Sequence, residues 1–456
     1  MNEPAPPRLV RAIGLFSLMA MAVNGMVGAG IFVLPAQVAG ILGPAALSAY
    51  VVAGFAVGLI VLCFAEVGTL FERSGGPYLY ARAAFGNWIG FEIGWMLLLS
   101  RLTAVGAISN AFASYLGFFW PPAAAGGGRI LVITVSVGLL GAVNYFGVRY
   151  GAWVSNLFTV SKLVPLTVFI IAGLFWLNGH ARPAWTLPPL AGLQQAGLLL
   201  IFAFGGFEFA VVPGEEVINL KKNLPIALLT GIALVAVLYV LIQFVAEGAL
   251  PGLASSRTPL ADASVRFLGP LGGVLLALGA VLSTTGTNSG TMLMGPRIIY
   301  AMAEGGQLPA VFARVHPSYR TPHVAVVVAT LMGWLCAMSG EFAVLAALSA
   351  IARLLSYMAT CAALPVLRRK MPGAQRGFTV PGGAIIPIAA VALSGWLLLG
   401  STRAQVTISA AALLIGAAIF GGYQFMMRLQ LQHETTPARP FAAGDRVGRD
   451  RRSESD

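Results

Sequence analysis

The sequence predicts an all-α integral membrane protein of about twelve transmembrane helices, two of them interrupted. Three observations carry that prediction. The chain is 58% hydrophobic and only 10% charged, with a mean hydropathy of +0.84, whereas soluble domains carry about 25% charged residues. Apolar runs of about 20 residues or more, enough to cross a bilayer, recur along almost the whole chain. Finally, 55 glycines and 27 prolines suit membrane helices that contain functional breaks.

Composition also excludes several classes. The net charge of +12 would suggest nucleic acid in a soluble chain; here it follows from Lys and Arg gathering on cytoplasmic loops, and no nucleic-acid partner is expected. Cys63, Cys336 and Cys361 all fall in apolar segments, which supports neither a disulfide framework nor a metal site. His180, His316, His323 and His433 lack metal-ligand spacing, so no metal and no cofactor is expected. The first apolar run is too long for a cleavable signal peptide.

Taken in order, the spans fall near residues 12–39, 43–70, 87–118, 130–148, 153–177, 193–215, 225–249, 267–302, 323–340, 343–367, 384–401 and 405–428. An even number returns the C-terminus to the side of the N-terminus. With that side cytoplasmic, the inner loops receive Arg73, Arg82, Arg149, Lys221, Lys222, Arg314, Arg320, Arg368, Arg369, Lys370 and Arg376, while the outer loops receive Arg129, Arg182, Arg257, Arg266 and Arg403. The bias places both termini in the cytoplasm of a multi-pass protein of the cytoplasmic membrane. Residues 1–11 read as a cytoplasmic N-terminus. The tail, residues 431–456, is polar and basic and reads as disordered.

Span 1 contains Gly25-Met26-Val27-Gly28-Ala29-Gly30-Ile31. A glycine weakens a helix interior by up to about 1 kcal/mol relative to alanine. At about 100° per residue these three glycines point to three different sides, so they do not form one packing face. A deliberate break exposing amides and carbonyls to a ligand is the reading that remains, because unwound backbone survives at that depth only in protein or against a cavity. Span 6 repeats the pattern with Phe202-Ala203-Phe204-Gly205-Gly206-Phe207-Glu208. Interrupted segments at corresponding positions of two halves point to a transporter's binding site. Five spans separate them, and an odd number inverts the second copy. Residues 12–178 and 193–368 then form a 5+5 inverted repeat, and residues 384–430 two appended helices, within a transporter domain of 12–430.

Four motifs add a family resemblance. They are Gly28-Ala29-Gly30-Ile31-Phe32 with Pro35; Ala65-Glu66-Val67-Gly68 leading to Ser74-Gly75-Gly76-Pro77-Tyr78; Gly214-Glu215-Glu216 with Asn219, Asn223 and Pro225; and Pro296-Arg297 with Tyr300, Gly305-Gly306 and Thr321-Pro322. In this order the chain resembles the amino acid–polyamine–organocation transporters over nearly all of residues 12–430. The resemblance implies a LeuT-like fold with broken helices 1 and 6 and a secondary active transporter of amino acids or closely related amines, working by alternating access as a proton symporter or an exchanger. Its partners are then the amino acid substrate, protons and the lipid bilayer; a homodimer is compatible. Three residues depart from relatives: Ala29 for a common serine, Phe202 for a tryptophan found in some, and Leu220 for a proline.

The expected substrate site comprises Met26, Gly28, Ala29, Gly30 and Ile31 of span 1, Phe202, Ala203, Phe204 and Gly205 of span 6, and Arg101 of span 3. A half-helix starting near Ile31 presents amides of Gly28, Ala29 and Gly30 to a carboxylate. Free carbonyls from Phe202 to Gly205 suit an ammonium. Phe202 and Phe204 are candidates to pack over the ligand. Arg101 either pairs with Glu208 or Glu92 or receives an acidic side chain. Lys162 in span 5 stands where some family members carry a lysine in place of a sodium ion; with Glu208 it is the expected proton-coupling group, and Ser283, Thr284 and Thr285 are candidate oxygens near it. Arg353 and Glu247 read as a packing partner and an interface charge.

Other classes fit less well. A channel needs a continuous polar lining, and a membrane enzyme a convergent catalytic cluster; neither pattern is present. A membrane amino acid sensor without net transport keeps the same binding site and stays open as the alternative.

Overall fold

The computed structural model describes residues 11, 13–71, 75–147, 152–178, 186–212 and 214–435. Residues 1–10, the tail from 436, and Ser74, Arg73, Arg149, His180 and Arg182 of the sequence readings lie outside the described residues. The regular structure of the described residues is helical. The exception is an isolated bridge between Ile13 and Val217, in which the Ile13 amide donates to the Glu216 carbonyl at 2.9 Å and the Ile218 amide to the Ile13 carbonyl at 2.9 Å. That bridge ties the entrance of span 1 to the exit of span 6.

Span 1 is two helices, α1 (Leu15–Met26) and α2 (Ala29–Leu42), and α3 (Ala46–Val67) follows after a tight turn. The short α4 (Pro77–Phe85), which hydropathy did not reveal, precedes α5 (Asn87–Leu116). Helices α6 (Gly126–Phe146) and α7 (Ala152–Leu177) complete the first half. Span 6 is helical as α8 (Leu190–Phe204), then breaks at Gly205 and Gly206 and resumes as a 3-10 turn at Phe207–Phe209. Next come α9 (Leu220–Ala249) and the long α10 (Pro259–Glu304), kinked at Gly269, whose φ of 67° suits a residue without a Cβ. Helices α11 (His323–Ser339), α12 (Phe342–Lys370), α13 (Ile385–Leu398) and α14 (Arg403–Thr435) close the chain. α14 therefore extends into the segment expected to be disordered tail.

Among the described residues nine helical stretches are long and apolar enough to cross a membrane. One of them, Leu15–Leu70, contains both of the first two predicted spans; α11 and α13 are apolar but shorter. The surface fits lipid: Phe16, Phe175, Leu271 and Leu414 are more than two-thirds exposed, while Glu66, Lys162, Glu208 and Gln243 are fully buried. A soluble protein shows the reverse preference. Helix α5 runs through the centre, packed along α10 and α12, and α9 packs on α1 and α3. This arrangement brings the first break against α7, α9 and α10 and the second against α5, α9 and α12.

Candidate functional site

The glycines of span 1 each admit a different neighbour. A Cβ on Gly25 would lie 2.2 Å from the Gly206 carbonyl oxygen, one on Gly28 would lie 2.9 Å from Thr287 Cγ2, and one on Gly30 would lie 2.7 Å from Ala203 Cα. Close approach in three directions explains why these residues are glycine. It also joins the two breaks, since a Cβ on Gly206 would meet the Gly25 oxygen at 2.2 Å. Gly206 itself has φ 116°, outside the range comfortable for other residues.

Unwound backbone must find partners inside the protein. At the first break the Val27 amide donates to Val23 O and the Gly28 amide to Met26 O. The freed carbonyls accept from three other helices. Lys162 Nζ of α7 donates to Asn24 O at 3.1 Å and Val27 O at 2.7 Å, Ser283 Oγ of α10 donates to Val27 O at 3.2 Å, and Tyr239 Oη of α9 donates to Met26 O at 2.7 Å. Tyr239 Oη also lies 3.2 Å from Ala203 O in the second break. One hydroxyl thus shares its proton between the carbonyl ends of both interrupted helices.

Around this junction lies a cavity lined by Gly25, Met26, Gly28, Ala29 and Gly30 of span 1, Phe202, Gly205, Gly206 and Phe209 of span 6, Arg101, Ala104 and Ile108 of α5, Thr287 and Thr291 of α10, and Arg353 of α12. Helix α2 begins at Ala29, so the Ala29 and Gly30 amides have no partner within the helix. They mark the positive end of its dipole. Phe202 lines the cavity with its ring edge-on to Phe342 at 5.6 Å. A second cavity, lined by Leu102, Thr291, Pro296 and Ala329 among others, also borders Arg101.

Several site expectations change here. The Gly28 amide is occupied by Met26 O, which leaves Ala29 and Gly30 as the donors. Phe204 turns away from the cavity, stacking obliquely on Tyr239 at 5.0 Å and under Gly54; neighbouring residues of one helix face different sides. Ile31 is fully buried and Ala203 backs onto Gly30, so neither lines the cavity. Among the span 8 hydroxyls, Thr284 and Thr285 bond back to their own helix, and Thr287 is the one that reaches Lys162 Nζ, at 3.0 Å.

Lys162 is fully buried and donates to three acceptors, Asn24 O, Val27 O and Thr287 Oγ1. An ammonium has three protons to donate, so this cradle suits the charged form. Glu208 is held from four sides. Arg101 Nη2 lies 2.6 Å and Arg353 Nε 3.5 Å from Oε1, while Tyr357 Oη and the Gly206 amide each donate to Oε2 at 2.8 Å. Arg101 therefore pairs with Glu208, not Glu92, whose carboxylate lies beside Trp95 and Gly416. Arg353 is more than a packing partner, since it joins this pair and borders the cavity. Glu247 accepts from Gln243 Nε2 at 2.8 Å.

Sequence reasoning missed Tyr239, Thr287 and Phe209. Tyr239 had one usable signal: a tyrosine amid an apolar span buries a hydroxyl that must find a partner. Among the described residues no group of three or more His, Cys, Asp or Glu is placed to hold a metal ion.

Comparison with known proteins agrees with this architecture. Residues 13–422 match the family described as amino acid permease. A serine/threonine exchanger of Bacillus subtilis is 29% identical over 424 residues, covering 90% of this chain and 95% of its own. A branched-chain amino acid permease of the same organism is 29% identical over 438 residues, covering 90% and 92%. The mouse large neutral amino acids transporter small subunit 2 is 30% identical over 427 residues, covering 89% and 79%.

Proposed function

The chain belongs to the amino acid permease family, within the amino acid–polyamine–organocation transporters, and from that premise we propose that it is a secondary active transporter carrying amino acids across the cytoplasmic membrane by alternating access. The supporting observation is the junction itself: the unpartnered amides opening α2 and the carbonyl end of α8 meet at one buried cavity. The amides of Ala29 and Gly30 would bind the substrate carboxylate, because helix N-termini stabilise anions. Carbonyls of Phe202 to Gly205 would face its ammonium, with Ala203 O already engaged by Tyr239. Met26, Phe202 and Arg101 would complete the walls.

In this reading the chain has twelve spans with both termini cytoplasmic. Residues 12–178 and 193–368 form the inverted 5+5 repeat, and residues 384–430 supply two further helices. One repeat rocks against the other around the cavity. The relatives whose names state exchange or permeation of amino acids support the substrate class.

Coupling would run through Lys162. Its charged form bonds the α1 end of the span 1 break, at Asn24 O and Val27 O, and the cavity-lining Thr287. Loss of one proton removes one donor and leaves an acceptor of the break unsatisfied, at a penalty of about 1–3 kcal/mol. Protonation therefore biases the break toward the geometry seen here, and proton release toward another. Glu208 ties the second break to α5 and α12 and would hold that side in register.

The test is reconstitution of the purified chain into liposomes after a thermal-shift screen against amino acids and amines, where stabilisation follows ligand excess over the dissociation constant. Saturable counterflow of a stabilising amino acid is expected. Stabilisation without counterflow would overturn transport in favour of a sensor.

A further inference from the structure

Charge at the cavity carries the inference further, on the premise that the cavity is the substrate site. Two guanidinium groups border it, those of Arg101 and Arg353, each 4% exposed. Among the described residues one carboxylate faces them, Glu208. Its capacity is spent, since Oε2 already accepts from Tyr357 and the Gly206 amide while Oε1 serves both arginines. The buried cluster thus holds two cations and one anion.

The surroundings repair the imbalance only in part, through the carbonyl end of α8 beside Arg353. Arg101 Nε is buried with no hydrogen-bond partner among the described residues, and the ring of Phe209 lies 5.4 Å from its guanidinium carbon. The Arg353 guanidinium packs against Gly205, where a Cβ would come within 1.7 Å of Nη1. It therefore stands beside the carbonyl end of α8, the place an additional substrate cation would otherwise take. Behind Thr287, Lys162 adds a further positive charge when protonated, and its acceptors are all neutral. The opening amides of α2 add a partial positive charge.

An uncompensated buried charge is strongly unfavourable. A zwitterion leaves the excess as it was and a cationic substrate worsens it. A substrate of net charge −1 offsets it and supplies an acceptor for Arg101 Nε. We propose that the site selects acidic amino acids, with the α-carboxylate at Ala29 and Gly30 and the side-chain carboxylate against Arg101 and Arg353. Monoamines and cationic amino acids are excluded by the same charges.

The experiment is equilibrium binding to the purified full-length chain, titrated with L-glutamate, L-aspartate, L-glutamine, L-asparagine, L-serine, L-leucine and L-lysine. At least one acid binds tenfold or more tightly than its own amide. Arg101→Gln brings that acid to within about threefold of its amide. Equal binding of acid and amide by the wild type overturns the proposal, and this comparison stands even if the variant does not fold. An unchanged acid preference in a folded Arg101→Gln overturns the role of Arg101. If neutral amino acids bind and show counterflow while the acids do not, the acidic selectivity falls and the permease reading survives. If no amino acid binds or moves, both fall.

Discussion

Gly25→Ala tests how closely the two breaks are joined. The new methyl carbon would sit 2.2 Å from Gly206 O, 2.9 Å from Gly206 C and 3.0 Å from Phe209 Cδ2. Optimal separation for such atoms is about 3.5 Å, so the shortfall against the carbonyl is roughly 1 Å. The obstruction is main chain, which cannot rotate aside as a flexible side chain would. Overpacking of this kind is unfavourable by about 1–3 kcal/mol, which is about 5- to 150-fold in an equilibrium constant, since 1.4 kcal/mol is tenfold. If that strain falls on the conformation in which the breaks meet, substrate binding weakens by the same factor. The assay is counterflow and equilibrium binding of the best-bound amino acid, with the melting temperature recorded. Gly58→Ala in α3 and Gly138→Ala in α6, where an added Cβ meets nothing within 4 Å, serve as controls and should behave as wild type. Binding and counterflow by Gly25→Ala within twofold of the controls would refute the idea that the breaks touch.

Other perturbations reach the same framework from different sides. Tyr239→Phe removes the hydroxyl between Met26 O and Ala203 O. It should lower stability by about 1–2 kcal/mol, near the low end for a lost buried partner because the Gly28 amide still serves Met26 O; an unchanged melting temperature would contradict this. Lys162→Ala should abolish the pH dependence of counterflow, and uptake with the wild-type pH profile would remove Lys162 from coupling. Glu66→Gln weakens a clamp in which Glu66 bonds Arg368 through both oxygens, at 2.8 and 2.5 Å, and accepts from the Val380 amide at 2.7 Å. Because Arg368 is partly exposed, the expected loss is about 1–3 kcal/mol, read as a lower melting temperature.

Much of the fold was legible because the bilayer imposes simple constraints. Length and apolarity marked the long apolar helices, and the glycines at 25, 28 and 30 announced the first break, since three glycines on three faces have no single packing use. Gly205-Gly206 did the same for the second. Local sequence could not say which neighbour each group meets. Lys162 stood out as a mid-span cation, but its hydroxyl partner is Thr287, one turn beyond Ser283, because the register of α10 against α7 is set by packing across the bundle. Phe202 and Phe204 are two residues apart and read alike; on a helix they diverge by about 200°, so one lines the cavity and the other stacks on Tyr239. Arg353 looked ordinary until α12 brought it beside Glu208, a residue far away in sequence. The α4 helix went unseen because it is far too short to cross a bilayer.

The most direct measurement is an experimental structure of the chain with its transported amino acid bound. Substrate density is expected between the two breaks, with a carboxylate within about 3 Å of the Ala29 and Gly30 amides and contact with Arg101. Density seated elsewhere, or spans 1 and 6 continuous through residues 27–28 and 205–206, would contradict the account.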